Sequence, residues 1–135
     1  MNIYLDIDGV ILDSGFGSTR PANYSTEFLK YLTENHKVYW LTSHCKVGGN
    51  RIMTHLGPKL PDEAMEYVLK ILPNPWNDLK TDGIDFTQDF RWIDDNAFIP
   101  ELEALKQNGA TEKLIKINLR DNPEQLQEVI KILQE

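Results

Sequence analysis

Short apolar runs that stop at acidic or hydroxyl residues recur along this chain, separated by longer segments whose apolar positions repeat every three or four residues. The first run, Asn2 to Ile7, carries Ile3, Tyr4, Leu5 and Ile7 and closes at Asp8-Gly9, which predicts a short buried strand ending in a turn. Over Ser25 to Glu34, Phe28, Leu29 and Leu32 fall on one helical face with Ser25 at the N-cap position, so a crossover helix is expected. Lys37 to Leu41 reads as a second strand ending at Thr42-Ser43. Asn50 to Leu56 reads as a helix stopped by Gly57-Pro58, with Gly48-Gly49 a flexible turn before it.

From Asp62 to Leu72, the residues Ala64, Met65, Val68, Leu69 and Leu72 fit a helical stripe, although a doubly wound fold also wants a strand nearby. A helix followed by a very short strand meets both demands. Pro73-Asn74-Pro75 forces a break, after which Phe90 to Ile93 forms a buried strand running into Asp94-Asp95. Pro100 to Gln107 predicts a helix ended by Asn108-Gly109, Lys113 to Leu119 a strand, and Pro123 to Leu133 a final amphipathic helix with Pro123 near its first position. The alternation predicts an α/β fold: a three-layer, Rossmann-like, doubly wound and mainly parallel sheet. No repeat, linker or low-complexity tract interrupts it, so residues 1–135 are expected to form one domain.

Composition narrows the setting. A chain of 135 residues can bury one core and not two, and 41% hydrophobic with 26% charged residues is a globular mixture. The net charge of -7 opposes binding to polyanions over most of the surface, except where a cation bound among carboxylates reverses the local sign. Cys45 is the single cysteine, so no intramolecular disulfide can form and a reducing, cytoplasmic setting is the expectation. Residues 1–13 carry Asp6, Asp8 and Asp13 without a basic stretch, which is unlike a signal peptide, and no apolar run approaches the roughly 18 residues of a spanning helix.

In a parallel sheet the carboxyl ends of the strands gather at one edge, so Asp6 with Asp8, Thr42 with Ser43, Lys80, and Asp94 with Asp95 are expected to converge there. Together they supply what phosphoryl transfer needs: a nucleophile, a proton donor, cations against the phosphoryl charge and donors that orient it. Asp6 can attack phosphorus as a carboxylate, and Asp8, on the same side of an extended chain, can protonate the leaving oxygen. Carboxylates so close together raise one another's pKa and call for a cation. Hard oxygen ligands from Asp6, the Asp8 backbone and Asp95 suit Mg2+, leaving Lys80 and the Thr42 hydroxyl for the phosphoryl oxygens.

These residues resemble the haloacid dehalogenase superfamily over the stretch from Ile3 to Asp95, with all its motifs in order. Leu5-Asp6-Ile7-Asp8-Gly9-Val10 is similar to the first motif, and the resemblance implies Asp6 as nucleophile and Asp8 as general acid and base. Val38 to Thr42 looks like the second, with Thr42 chosen over its neighbour Ser43. Lys80, within Trp76 to Ile84, resembles the third, and Arg91-Trp92-Ile93-Asp94-Asp95 the fourth, which implies Asp95 as a direct metal ligand and Asp94 in support. The implied metal set is Asp6, Asp8, Asp94 and Asp95 around Mg2+, and the implied substrate contacts are Gly9, Thr42, Ser43 and Lys80.

Only Ile11 to Asn23 separates the first strand from its helix, enough for a small flap and too little for a folded cap domain. The resemblance therefore implies an uncapped phosphatase with an open site for large phosphorylated substrates, phosphoproteins or phosphorylated nucleic-acid ends. The rival expectation is a catalytically quiet phosphate-binding or protein-interaction module on the same fold.

Other readings are weaker. His44, Cys45 and His55 lack the fourth ligand and spacing of a zinc site and are expected at the rim or surface. Asp78, Asp82, Asp85 and Asp89 lack an EF-hand's spacing and read as solvated acids. Gly48-Gly49 lacks the Lys-Ser/Thr of a P-loop. Trp40 and Trp92 are expected in the core and Trp76 at the substrate entrance. A receiver domain needs its acidic pair before the phosphoacceptor strand, and here Asp94-Asp95 comes last.

Overall fold

Alternation along the strands decides how the layers assemble. In the computed structural model, which describes residues 1–15, 18–46 and 50–135, β1 (Asn2–Leu5) is followed by a small antiparallel ribbon, β2 (Leu12–Asp13) with β3 (Arg20–Pro21). The strands β4 (Lys37–Trp40), β5 (Phe90–Asp94) and β6 (Leu114–Lys116) join β1 in a four-stranded, wholly parallel sheet of order β4-β1-β5-β6. The fold is α/β, as expected.

Ile3 and Leu5 of β1, Val38 and Trp40 of β4, and Ile93 of β5 face one side of the sheet. There they meet α1 (Ser25–Asn35), α2 (Ile52–Leu56), α3 (Asp62–Val68) and α5 (Gln125–Gln134) through Phe28, Leu29, Leu32, Ile52, Leu56, Ala64, Val68, Leu126 and Val129. Tyr4, Tyr39, Phe90 and Trp92 point the other way, against α4 (Ile99–Gln107) and the segment from Trp76 to Phe86. The period of two in the strands thus divides the core into two clusters and gives three layers. The phenol of Tyr4 accepts from the Asp85 backbone N–H at 3.0 Å, which ties the 76–86 segment to the sheet.

The expected elements are present, with shifted ends. Ser25 does not cap α1: the cap position is Tyr24, at a left-handed φ of 64°, and Ser25 is buried with its N–H on the Ala22 carbonyl. The chain leaves β3 through too tight a turn for Ser25 to stay outside the helix. Pro123 likewise precedes α5 rather than opening it. The helix begins at Gln125, whose side chain accepts from Asn118 N–H at 2.6 Å and donates to Lys116 O at 2.9 Å. The strand expected over 113–119 pairs only at Leu114–Lys116, because β5, its partner, ends at Asp94.

After α3 a single residue, Leu72, pairs in parallel with Tyr39: its N–H reaches Val38 O at 3.0 Å and its carbonyl accepts from Trp40 N–H at 2.9 Å. This is the helix followed by a minimal strand that the 62–72 pattern suggested. Gly48-Gly49 lies outside the described residues. No helix among the described residues is long and apolar enough to cross a membrane.

Candidate active site

β1 lies between β4 and β5, so the chain order reverses across it, and a cleft opens beyond the carboxyl ends at such a switch point. The cleft found there, about 300 Å³, is lined by Asp6, Asp8, Ser43, Trp76, Lys80 and Asp94 among others. Residues from β1, the turn after β4, the 76–86 segment and β5 are brought together, as the parallel topology requires.

Asp6 follows β1 directly, and its N–H continues the ladder to Ile93 O at 3.1 Å, so its carboxylate is placed by the sheet itself. It is buried, 6% exposed. Lys80 Nζ lies 2.7 Å from Asp94 Oδ2 and 3.4 Å from Asp6 Oδ2, bridging the two strand ends. Asp94 is heavily engaged: Oδ2 also accepts from the Trp92 indole at 3.2 Å, and Oδ1 accepts from Asn96 N–H at 3.1 Å. Trp92 is core, as expected, and also holds a carboxylate of the site.

Asp6, Asp94 and Asp95 present oxygens within 4.8 Å of one another. Three carboxylates around one ammonium leave excess negative charge, and the titration of the groups reflects it. Burial and then the Asp94 charge push Asp6 well above the usual carboxylate range, against the pull of Lys80. Burial and Asp94 raise Asp95 to about 6. Burial alone would lower Lys80, yet Asp6 and Asp94 outweigh it and raise it. Hard oxygen donors with uncompensated charge fit a small divalent cation. Because Asp94 is committed to Lys80 and Trp92, Asp6 and Asp95 are the carboxylates left to hold it.

Gly9 makes room for this cluster. It sits at φ 81°, and a Cβ there would overlap Asp95 Oδ2. The loop behind it is tight, with Val10, Ile11 and Leu12 N–H all directed at the Ile7 carbonyl within 3.1 Å. Gly9 therefore allows close approach of backbone and carboxylate, the reason a glycine follows the two aspartates.

The Asp8 side chain stands apart from the Asp6, Asp94 and Asp95 cluster. Its side chain is 54% exposed, and both its oxygens are engaged, Oδ2 by His44 Nε2 at 2.8 Å and Oδ1 by His55 Nε2 at 2.9 Å. Burial would raise its pKa, but the hydrogen bonds from the two histidines prevail and lower it. The side chain is thus not among the clustered carboxylates, and any share of Asp8 in a cation held by Asp6 and Asp95 falls to its backbone, as the sequence suggested. His44 and His55 are half-buried beside Asp8, while Cys45, expected at the rim or surface, is core at 1% exposure. The turn Ser43–Cys45 exposes its first residue, half-buries the second and turns the last inward.

Thr42 is fully buried, and its hydroxyl oxygen accepts from His44 N–H at 3.4 Å, so it caps that turn. Ser43, the neighbour it was preferred to, is the hydroxyl that lines the cleft. Trp76 lines the cleft as expected of an entrance residue, yet is largely buried and donates its indole N–H to Thr42 O at 2.8 Å. Asp78, Asp82, Asp85 and Asp89 are all exposed.

One site residue had no sequence signal strong enough to find it. Glu101, at the third position of α4, is 2% exposed and accepts from Lys80 N–H at 2.7 Å and Phe98 N–H at 2.9 Å. Its spacing after Phe98 is half of a capping box, but the cap residue is not a Ser, Thr, Asp or Asn. Only the packing of α4 on the 80–83 turn places it under Lys80. Compared with protein-family models, with curated proteins and with solved structures, the chain matches none.

Proposed function

We propose that this protein is a Mg2+-dependent phosphatase of the haloacid dehalogenase type, acting through an aspartyl-phosphate on Asp6. The observation that carries the reading is Lys80 set between Asp6 and Asp94, in a cleft at the switch point of a parallel sheet. Asp6 and Asp95, with the Asp8 backbone, would hold Mg2+, which when bound offsets the carboxylate charge and that of the phosphoryl oxygens.

In the first half-reaction an Asp6 oxygen bonds to phosphorus while the bond to the leaving oxygen breaks, and that oxygen takes a proton from the Asp8 carboxyl, which must enter the step protonated against the lowering pull of its two histidines. In the second, water attacks phosphorus, its proton passes to Asp8, and Asp6 is released as a carboxylate together with inorganic phosphate. Lys80 orients and neutralises the transferred group, and Ser43 is the hydroxyl placed to donate to it. Glu101 accepts from the Lys80 backbone and so fixes the turn that carries the ammonium. Among the described residues, the short β2–β3 ribbon is what stands where a cap would be inserted, which favours large substrates with an exposed phosphoryl group.

The test is hydrolysis of an activated aryl phosphate with added Mg2+. Asp6→Asn is expected to abolish turnover and leave the thermal melt intact or raised, since it removes a buried charge crowded by Asp94. Unchanged turnover in Asp6→Asn would end the mechanism. Mg2+-dependent binding of beryllium fluoride without any turnover would instead favour the quiet phosphate-binding module.

A further inference from the structure

His44 and His55 come from different elements, the turn after β4 and helix α2, yet their rings stack at 3.9 Å with 20° between planes, both with Nε2 on Asp8. Behind them Lys59 Nζ donates to His55 O at 2.8 Å and lies 3.4 Å from His55 Nδ1. An ammonium can only donate, so Nδ1 of His55 is the acceptor and the ring proton resides on Nε2. His55 therefore presents an N–H to Asp8 Oδ1, and His44 contacts the other oxygen.

The three side chains also have the composition of a transition-metal site, with ligand atoms within 4.8 Å of one another. Lys59 argues against that use. A neutral histidine binding metal through Nε2 carries its proton on Nδ1, usually donated to a carboxylate or carbonyl. Here that proton would face an ammonium.

We propose that His44 and His55 are positioning residues for Asp8: two ring nitrogens on two different elements grip both carboxylate oxygens, and Lys59 fixes the tautomer of one ring. The need is plain from the geometry. Asp8 is more than half exposed on a loop, and each of its oxygens has a histidine as partner, so without them its side-chain torsions are free. A group that must meet the leaving oxygen gains from being held in one orientation before substrate arrives. The kinetic consequence rests on the phosphatase reading above; the hydrogen-bond geometry does not.

Two measurements test this. In steady-state kinetics, His44→Ala and His55→Ala are each expected to lower kcat roughly 10- to 100-fold with KM and Mg2+ dependence little changed. The loss should be greater on an alkyl phosphate than on p-nitrophenyl phosphate, whose leaving group needs no proton. His55→Gln, which keeps an N–H near the same place, should restore much of the rate, and in an Asp8→Asn background removing either histidine should cost nothing more. Equal losses in both backgrounds, or no loss at all, overturn the proposal.

The second measurement is independent of turnover: ring-nitrogen NMR shifts of His55 should report the Nε2–H tautomer, and those of both histidines should move in Asp8→Ala. An Nδ1–H tautomer at His55, or stoichiometric Zn2+ displacing both sets of signals, overturns the clamp and makes the cluster a metal site. An inactive wild type with the expected tautomer and Asp8 response removes the phosphatase reading while sustaining the clamp.

Discussion

Among the described residues, the ammonium of Lys80 is the positive charge set among the three carboxylates, 13% exposed, hydrogen-bonded to Asp94 and ion-paired with Asp6. Replacing it by Met keeps most of the volume and leaves Asp6 and Asp94 facing each other unpaired. Loss of one partner from a buried ionic cluster costs about 3–5 kcal/mol. Lys80→Met is therefore expected to lower the metal-free unfolding free energy, read from urea denaturation, by that order, with added Mg2+, on the proposed reading, recovering part of the loss and none of the activity. At this scale the sequence disclosed the residue types: two aspartates at a strand end, a lysine, and an acidic pair at another strand end. It did not disclose partners. Asp8 was legible as a site residue, while its histidines were not, because His44 and His55 are separated by ten residues whose path no spacing rule predicts. Glu101 was silent for the same reason, its role depending on how α4 meets the 80–83 turn.

Among the elements, the loop after β1 is the most demanding. Gly9 holds φ 81° with no space for a Cβ beside Asp95. Gly9→Ala is expected to cost about 1–3 kcal/mol from the left-handed backbone alone, and to weaken Mg2+ binding further by displacing Asp95. Chemical denaturation and a calorimetric Mg2+ titration of the same sample separate the two effects. A glycine after the aspartates was visible in the sequence, and so were the strands and helices, since their apolar periods are strong. Their ends were less so. Ser25 reads as a cap and is buried instead; Pro123 reads as a helix start and lies before it. Both ends are set by what the neighbouring turn can reach, here the Ala22 carbonyl for Ser25 and the β6 end for Gln125.

For the molecule as a whole, the crowded carboxylates make stability depend on pH and, on the function proposed above, on a cation as well. Asp95 is raised to about 6 in the metal-free fold, above its unfolded value of about 3.9. The folded state thus binds this proton more tightly, which favours the fold below about pH 4, an advantage lost as pH rises through about 6. On the proposed reading Mg2+ needs the deprotonated form, so its stabilisation is expected to grow over that same window. At a hundredfold excess over Kd a bound ion adds about 2.7 kcal/mol, so the melting temperature at pH 7.5 is expected to rise by roughly 5–10 °C. The rise should shrink steadily toward pH 5, and differential scanning calorimetry across that range checks it. The sequence by itself determined the α/β class, the layering and the residue types at the strand ends, because these follow from local periodicity and composition. Only the tertiary structure decided which hydroxyl lines the cleft, that Asp94 serves Lys80 while Asp95 stays free for a cation, and that two histidines hold Asp8. Those are relations between side chains on different elements, and they exist only once the strand ends have been brought to one edge.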